Sequence, residues 1–385
     1  MKKILSVAIP VCIISYILFG LSVMILGKSY SSSGSTYIDQ VNSGTYYDGY
    51  RVIFEREVTG YGDGNKNSWK INNDFPNIHI NSAGAKTVIE QWDENQISVE
   101  ASVPANQKIN VSAYYTGDDT DLVITVTPPN VSFIDGITEF GVINWLEDIF
   151  SYSGDVVVTI KFPKTIYDSL TIQQGSGSLS ISELYARQNN ITIGSGSFEY
   201  DKDVLFEADS FNVDLGSGSA VIKNMRTKSY VIDLGSGRLE CTGLSGTGVL
   251  DMGSGKCSLY YADFNGDTNV DMGSGALSLY LPSNANLSLK TDIGSGAVTV
   301  KALGVDKRLT IADNDDVVLL GNGEGPTLSI DMGSGSIQIL DSTLKPQVGY
   351  TDTIPGVVDI TNSSSFSSSS FGTVHEISQV AEDPN

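Results

Sequence analysis

Apolar and polar residues alternate in short runs along most of this chain. Between residues 47 and 165 the runs are "RVIFEREV", "NIHINS", "QISVEASV", "DLVITVTP" and "DVVVTIKF". Alternation over four to eight positions predicts half-buried β-strands. Turn formers stand between them: "GDGNKN", "NSAGAK" and "TGDDTD". One stretch differs. In "FGVINWLEDIFSY", residues 140–152, Val142, Trp145, Leu146, Ile149 and Phe150 recur at helical spacing. This predicts a short amphipathic insertion, read either as a helix capping a β core or as an apolar patch for a partner. Trp145, Leu146, Ile149 and Phe150 are the candidate partner-binding residues.

From residue 170 the alternation is locked to a repeated triplet. Gly-Ser-Gly begins at Gly175, Gly194, Gly216, Gly235, Gly253, Gly273, Gly294 and Gly333, in steps of 19, 22, 19, 18, 20, 21 and 39. The last step is about two periods, so a degenerate copy is expected inside it. Asp313-Asn314-Asp315 is the candidate, because Asn and Asp tolerate positive φ best after Gly. Val317 and Leu319 would then take the apolar positions, giving nine turns.

Counted from the first Gly of each triplet, residues four and six further on are apolar or aromatic in all eight copies, as in Leu179 and Ile181 or Leu277 and Leu279. The residues one and three before it are apolar except Gln174 and Thr291. The flanks −1 and +4 are an odd number of residues apart, so a straight strand would send one of them outward. The triplet must therefore turn the chain, with glycine supplying backbone freedom. One such coil cannot bury its apolar face alone, whereas stacked coils can. The prediction is an all-β fold: a single-stranded β-solenoid with coils of about 20 residues, adding strands every 4.8 Å or so to make a rod of about 40 Å. The irregular N-terminal strands and the tail beyond Leu344 are expected to cap its ends.

The glycines also invite a phosphate-loop reading. That loop needs a helix N-terminus after the glycines, and here an alternating β run follows every triplet. "GSGKCS" at Lys256 approaches the lysine motif only once.

Two residues before the triplet stand Asp214, Asp233, Asp251, Asp271, Asp292 and Asp331. In a solenoid these carboxylates stack. Three readings remain open: a solvated ladder, carboxylates bonded to the N–H groups of their own turn, or a calcium ladder of Asp214, Asp233, Asp251, Asp271 and Asp292. Cys241 and Cys257 fall on neighbouring coils but are offset by two positions, too long a diagonal for a disulfide, so two buried thiols are expected.

Composition narrows function. Lys+Arg number 23 against 45 Asp+Glu, a formal charge of −22. That field repels nucleic acid. Three cysteines and two histidines supply neither a zinc site nor a His-dependent triad, and no cofactor is expected. At the N-terminus, Ile4 to Gly27 carry no charge, long enough for a membrane-spanning helix and read as an uncleaved signal anchor, with a cleaved signal peptide as the alternative. With Lys2 and Lys3 before it, the positive-inside rule places the rest of the chain outside the cell.

The resulting organisation is a cytoplasmic tip and transmembrane signal anchor (1–27), a flexible stalk (28–46), and an irregular β region (47–169) carrying the 140–152 insertion. The regular solenoid (170–345) and a Ser-rich cap or tail (346–385) follow.

With "NIHINSAGAKTVIEQWDENQISVEAS", the Pro-ended strand in "VVVTIKFPKTIYDSLTIQQGSGSLSI" and the repeated Asp-x-Gly-Ser-Gly coils, residues 70–345 resemble the bacterial "putative adhesin" β-solenoid domain family. The resemblance implies an envelope-associated β-solenoid of a family sometimes proposed to adhere and sometimes linked to envelope-stress signalling. No catalytic residue comes with it.

The expected function is a membrane-anchored, extracellular, non-catalytic module for binding or scaffolding. Its expected partners are the membrane, through the N-terminal helix, and a surface glycan or an envelope protein. The alternative is an envelope-stress signalling accessory acting through a membrane partner. A polysaccharide-active β-helix enzyme fits less well, since Arg226, Arg238 and Arg308 share no register with the Asp column.

Overall fold

The computed structural model describes residues 46–47, 50–60, 65–116, 120–128, 156–202, 206–314, 316–342 and 358–359. The expected anchor, the stalk apart from Tyr46, the 140–152 insertion with Trp145, Leu146, Ile149 and Phe150, and the tail apart from Val358–Asp359 lie outside these residues. Among the described residues no helix is long and apolar enough to cross a membrane.

Two long sheets, of 15 and 13 strands, face each other. Each coil, named here by the first glycine of its triplet, gives one strand to each sheet and turns between them at Gly-Ser-Gly. In the Gly194 coil these strands are Tyr185–Ile193 and Ser197–Asp201. Neighbouring coils pair in parallel and in register: Thr192 lies beside Asp214, Asp214 beside Asp233, and Asp233 beside Asp251. The −3, −1, +4 and +6 residues of all eight coils are buried, Gln174 and Thr291 included. Both flanks of the triplet do face the core, as their parity required. In-register stacking also sets like side chains on one another. The Asn212 amide donates to Asn190 Oδ1 at 2.8 Å, and the Tyr260 and Tyr280 rings stack with centroids 4.0 Å apart.

The glycines act differently from the expectation. Among the triplet glycines only Gly177 has positive φ. Their requirement is close approach between coils. A Cβ on the second glycine would stand 2.5 Å from a carbonyl oxygen of the neighbouring coil at both Gly237 and Gly275. The first glycine's carbonyl accepts the serine N–H of the next coil, and at Gly194, Gly216 and Gly235 a glycine N–H as well: Gly216 O receives Ser236 N at 2.9 Å and Gly237 N at 3.0 Å. The corner is thus a backbone ladder, tight at its first glycine and with no room for a side chain at its second.

Coil order departs from sequence order at both ends. The Gly333 coil, Thr327–Met332 and Ser336–Asp341, lies between the Gly273 and Gly294 coils. The 39-residue step holds no ninth coil. After Ala302 a two-residue turn, Leu303 at φ 53° and Gly304 at φ 80°, folds Val305–Leu309 back antiparallel. This is hairpin-turn geometry, with positive φ at both central residues. A 3₁₀ turn, Ile311–Asp313, leads to Val317–Leu320, antiparallel on Leu287–Ile293. Reversal flips the expected parity: Val318 and Leu320 are buried, while Val317 and Leu319 are exposed. Asn314 does not turn a coil. Its amide bonds the backbone of Ile293 through both its oxygen, at 2.8 Å, and its nitrogen, at 3.1 Å.

The N-terminal end follows the same plan. Asn77–Ser82 and Lys86–Trp92 form a coil lying between the Gly175 coil and the later Asp121–Thr127 and Val157–Pro163. Antiparallel strands then close the stack: Lys108–Thr116 and Tyr50–Thr59 in one sheet, Gln96–Val103 and Asn65–Asn72 in the other. Asn65, Lys66 and Asn67, read above as turn, begin a strand. The N-terminal cap matches expectation. The C-terminal cap comes from 305–320, and the described part of the tail, Val358–Asp359, pairs instead with Thr165 and Ile166 near the other end.

Candidate functional site: the outer rows of the coil stack

The corner column was the first candidate for chemistry. An open groove of about 450 Å³ runs along it, lined among others by Ser217, Ser236, Arg238, Ser254, Lys256 and Ser274. Its serine N–H groups and most of its glycine N–H groups are consumed by the coil-to-coil ladder, as when Ser254 N and Gly255 N both donate to Gly235 O. A phosphate cradle requires those donors free, and a strand rather than a helix follows each triplet.

The Asp row runs along the outer face of the first sheet, one carboxylate per coil. Its spatial order is Asp214, Asp233, Asp251, Asp271, Asp331, Asp292, because the Gly333 coil intervenes. Asp271 and Asp292 are therefore not neighbours, as sequence order had implied. Partial burial pushes the Asp214 carboxyl up. At Asp233 burial acts first and the charge of Asp214 adds to it. Most turn N–H groups serve the neighbouring coil, as Ser236 N and Gly237 N do at Gly216 O, and among the described residues none bonds a carboxylate of this row, contrary to the turn-bonded reading. Among the described residues Asp292 is the one member of the row that receives a side-chain donor, Asn314 Nδ2 at 3.0 Å. Among the described residues no three Asp, Glu, His or Cys side chains gather as a metal site.

Parallel two-strand coils, a repeated glycine corner and a continuous apolar interior set the frame for comparison. Residues 75–340 match the Toastrack DUF4097 family, a domain of unknown function. The chain belongs to this family. No curated protein matches it. Two solved structures are similar to the Toastrack chain at 15% identity. One, described as a "putative cell adhesion protein" from Clostridium sporogenes, aligns over 73% of this chain and 100% of its own with a TM-score of 0.25. The other, described as a "putative lipid binding protein" from Parabacteroides distasonis, aligns over 74% and 99% with a TM-score of 0.40.

Two measurements probe the Asp row of this Toastrack domain. Asp233→Asn should raise the melting temperature at neutral pH, because a carboxyl whose proton affinity is raised on folding opposes folding once ionised. The gain should vanish below about pH 3, where the carboxyl is protonated in both states. Thermal melts of both proteins against pH check this. Calcium at about 1 mM should stabilise no more than sodium at equal ionic strength, since a screened ladder lacks the six to eight convergent oxygens calcium takes. A calcium-specific rise removed by chelator would instead favour the calcium ladder.

Cys241 and Cys257 are free and buried. Cys241 pairs in register with Leu259, and Leu239 with Cys257, the predicted diagonal. Burial pushes the Cys241 thiol up to about 12.

Sequence reasoning missed Lys202 of the Toastrack core. It is fully buried, eight residues past Gly194, where other coils place Tyr261, Leu281 and Ala302. Its Nζ lies 4.7 Å from the Tyr200 ring centroid, 5.8 Å from that of Tyr185 and 3.6 Å from Met225 Sδ. Burial pulls its pKa down to about 7, against weaker upward pulls from Glu183 and Cys241. The tyrosine hydroxyls point elsewhere: Tyr185 donates to Glu183 and Tyr200 to the Leu184 carbonyl. The sequence signal is partial: the eighth residue is buried in the Gly253, Gly273 and Gly294 coils but is Glu183, Asn224 and Asp341, none of them buried, in three others.

Proposed function

We propose that this chain is a non-catalytic binding or scaffolding module of the cell envelope, tethered by its N-terminal apolar segment with the Toastrack domain outside the cell. The observation that carries this reading is the repeated outer face. Register places a carboxylate at each coil from Asp214 to Asp292 along one sheet. A row of acceptors at strand spacing, about 4.8 Å, suits an extended ligand that offers repeated hydroxyl donors, such as an uncharged surface glycan. Carboxylates are strong acceptors for such donors. Nucleic acid and other polyanions are repelled by the charge of −22.

The test incubates the detergent-solubilised full chain with an array of envelope polysaccharides. Retained glycan and reducing-end release are measured on the same samples. The reading expects retention of at least one neutral glycan, weakened by Asp233→Asn with Asp251→Asn, and no release of fragments. Fragment release would show an enzyme, and retention indifferent to both substitutions would remove the Asp row from binding.

A further inference from the structure

The two sheets end at four edges, and the two at the N-terminal end of the rod carry the usual defences against strand addition. Asn65–Asn72 is polar, with Lys66 and Lys70. Tyr46–Tyr47 covers the outermost long strand of the first sheet with a two-residue pairing. Val305–Leu309 carries Asp306, Lys307 and Arg308. The fourth edge, Val317–Leu320, is "VVLL", with no charge and no proline. Among the described residues no strand pairs with its outer side. Val317 is 53% exposed and Leu319 55%, and Ile311, in the 3₁₀ turn that leads into this strand, is 65% exposed. These are three of only five large hydrophobic side chains exposed among the described residues, so apolar exposure is concentrated at this end.

A lipid surface does not answer both features, since unpaired edge N–H and C=O groups are not tolerated in hydrocarbon. The edge requires a strand, and this chain's own edge is complementary to itself. We propose that the C-terminal end of the rod is a two-fold interface with a second copy of the chain, in which Val317–Leu320 pairs antiparallel with its equivalent and extends both sheets through the dimer.

Parity supports this. Antiparallel pairing centred on Val318 sets Val317 opposite Leu319 of the second copy, both on the outer face, and sends Val318 to the shared core. Charge supports it independently on the other sheet. There the matching two-fold is centred on Lys307 and sets exposed Asp306 opposite exposed Arg308 of the second copy. One axis can serve both centres. Val318 pairs with Leu289 and Lys307 with Val300, and these stand five residues before Gly294 and four after Gly296, nearly level across the two sheets. The charge of Lys307 at this centre is balanced within its own chain by Asp316 at 3.1 Å. A two-fold contact also closes, whereas a head-to-tail contact between the two unlike ends would propagate into filaments.

Sedimentation of the full chain in detergent, from about 1 to 100 μM, should show a monomer–dimer equilibrium and no larger species. Val317→Lys with Leu319→Lys should raise the dissociation constant at least about tenfold without lowering the melting temperature, since both side chains lie outside the core. Arg308→Asp should weaken the dimer, and adding Asp306→Arg in the same chain should restore it, because the swap re-forms each pair across the axis. A monomer throughout the range, open-ended assemblies, a dimer indifferent to the paired lysines, or a swap that fails to restore the Arg308→Asp loss would each overturn the proposal.

Discussion

Gly275→Ala should destabilise the protein by at least about 3 kcal/mol, while Gly273→Ala in the same triplet costs about 1 kcal/mol. A Cβ on Gly275 would stand 2.5 Å from Gly255 O, the carbonyl that accepts Ala276 N at 3.0 Å. The methyl cannot be accommodated without breaking that ladder bond and separating two coils. A Cβ on Gly273 would meet Gly253 O at 3.2 Å, which a shift of a few tenths of an ångström relieves. If the glycines served only to permit positive φ, neither substitution would show this ranking, because neither residue has positive φ. Urea unfolding of the two variants distinguishes the explanations. Equal losses would contradict the close-approach account.

Lys202→Met should stabilise the protein by up to about 4 kcal/mol near pH 7. The folded-state pKa is about 7 against an ordinary 10.5. Between those values the unfolded chain binds a proton that the folded core does not take up, so wild-type stability falls as pH drops from 10.5 toward 7. Above that window the lysine is neutral in both states and the penalty is gone. The advantage of methionine should therefore be largest at and below about pH 7 and fade toward about pH 10.5. Met also preserves the packing against Tyr200 and Met225, its sulfur suiting the aromatic ring. Chemical denaturation of both proteins from pH 6 to 10 reads this directly, in steps of about one pH unit. A constant difference across that range would show that Lys202 is not desolvated.

The coil interior was legible because alternation fixes parity. Leu179 and Ile181, or Leu277 and Leu279, could face only one way, and the odd spacing across the triplet located the corner. The two ends were less legible for identifiable reasons. "VVLL" at 317–320 has no alternation, so its parity depended on strand direction, and the hairpin at Leu303-Gly304 reversed that direction. The place of the Gly333 coil is not written in its letters. Asp271-Met272 and Asp331-Met332 are chemically the same edge, and either could receive the next coil. Glycine's role was misassigned because a sequence shows that a side chain is absent, not which neighbouring atom excludes it. For the candidate site, the Asp row was read correctly as a row, but its order and its lack of turn bonding required the ladder geometry. Lys202 was overlooked because the eighth residue after the first glycine is polar in other coils too, as at Glu183, Asn224 and Asp341, so the letters alone do not mark it as inward.

The order of the coils fixes the Asp row, the C-terminal edge and the two-fold contact alike, so it is the quantity to measure. Cysteine pairs placed on the corner serines report it in the full chain under mild oxidation, read by mass spectrometry. Ser334 N donates to Gly273 O at 2.8 Å, and Ser295 N to Gly333 O at 2.7 Å. Ser274→Cys with Ser334→Cys, and Ser295→Cys with Ser334→Cys, should each form a disulfide at one-coil separation. Ser274→Cys with Ser295→Cys spans two coils, about 10 Å, beyond the reach of a disulfide, and should stay reduced. A disulfide in that last pair, with none between positions 274 and 334, would restore sequential stacking and contradict the fold described for this end of the rod.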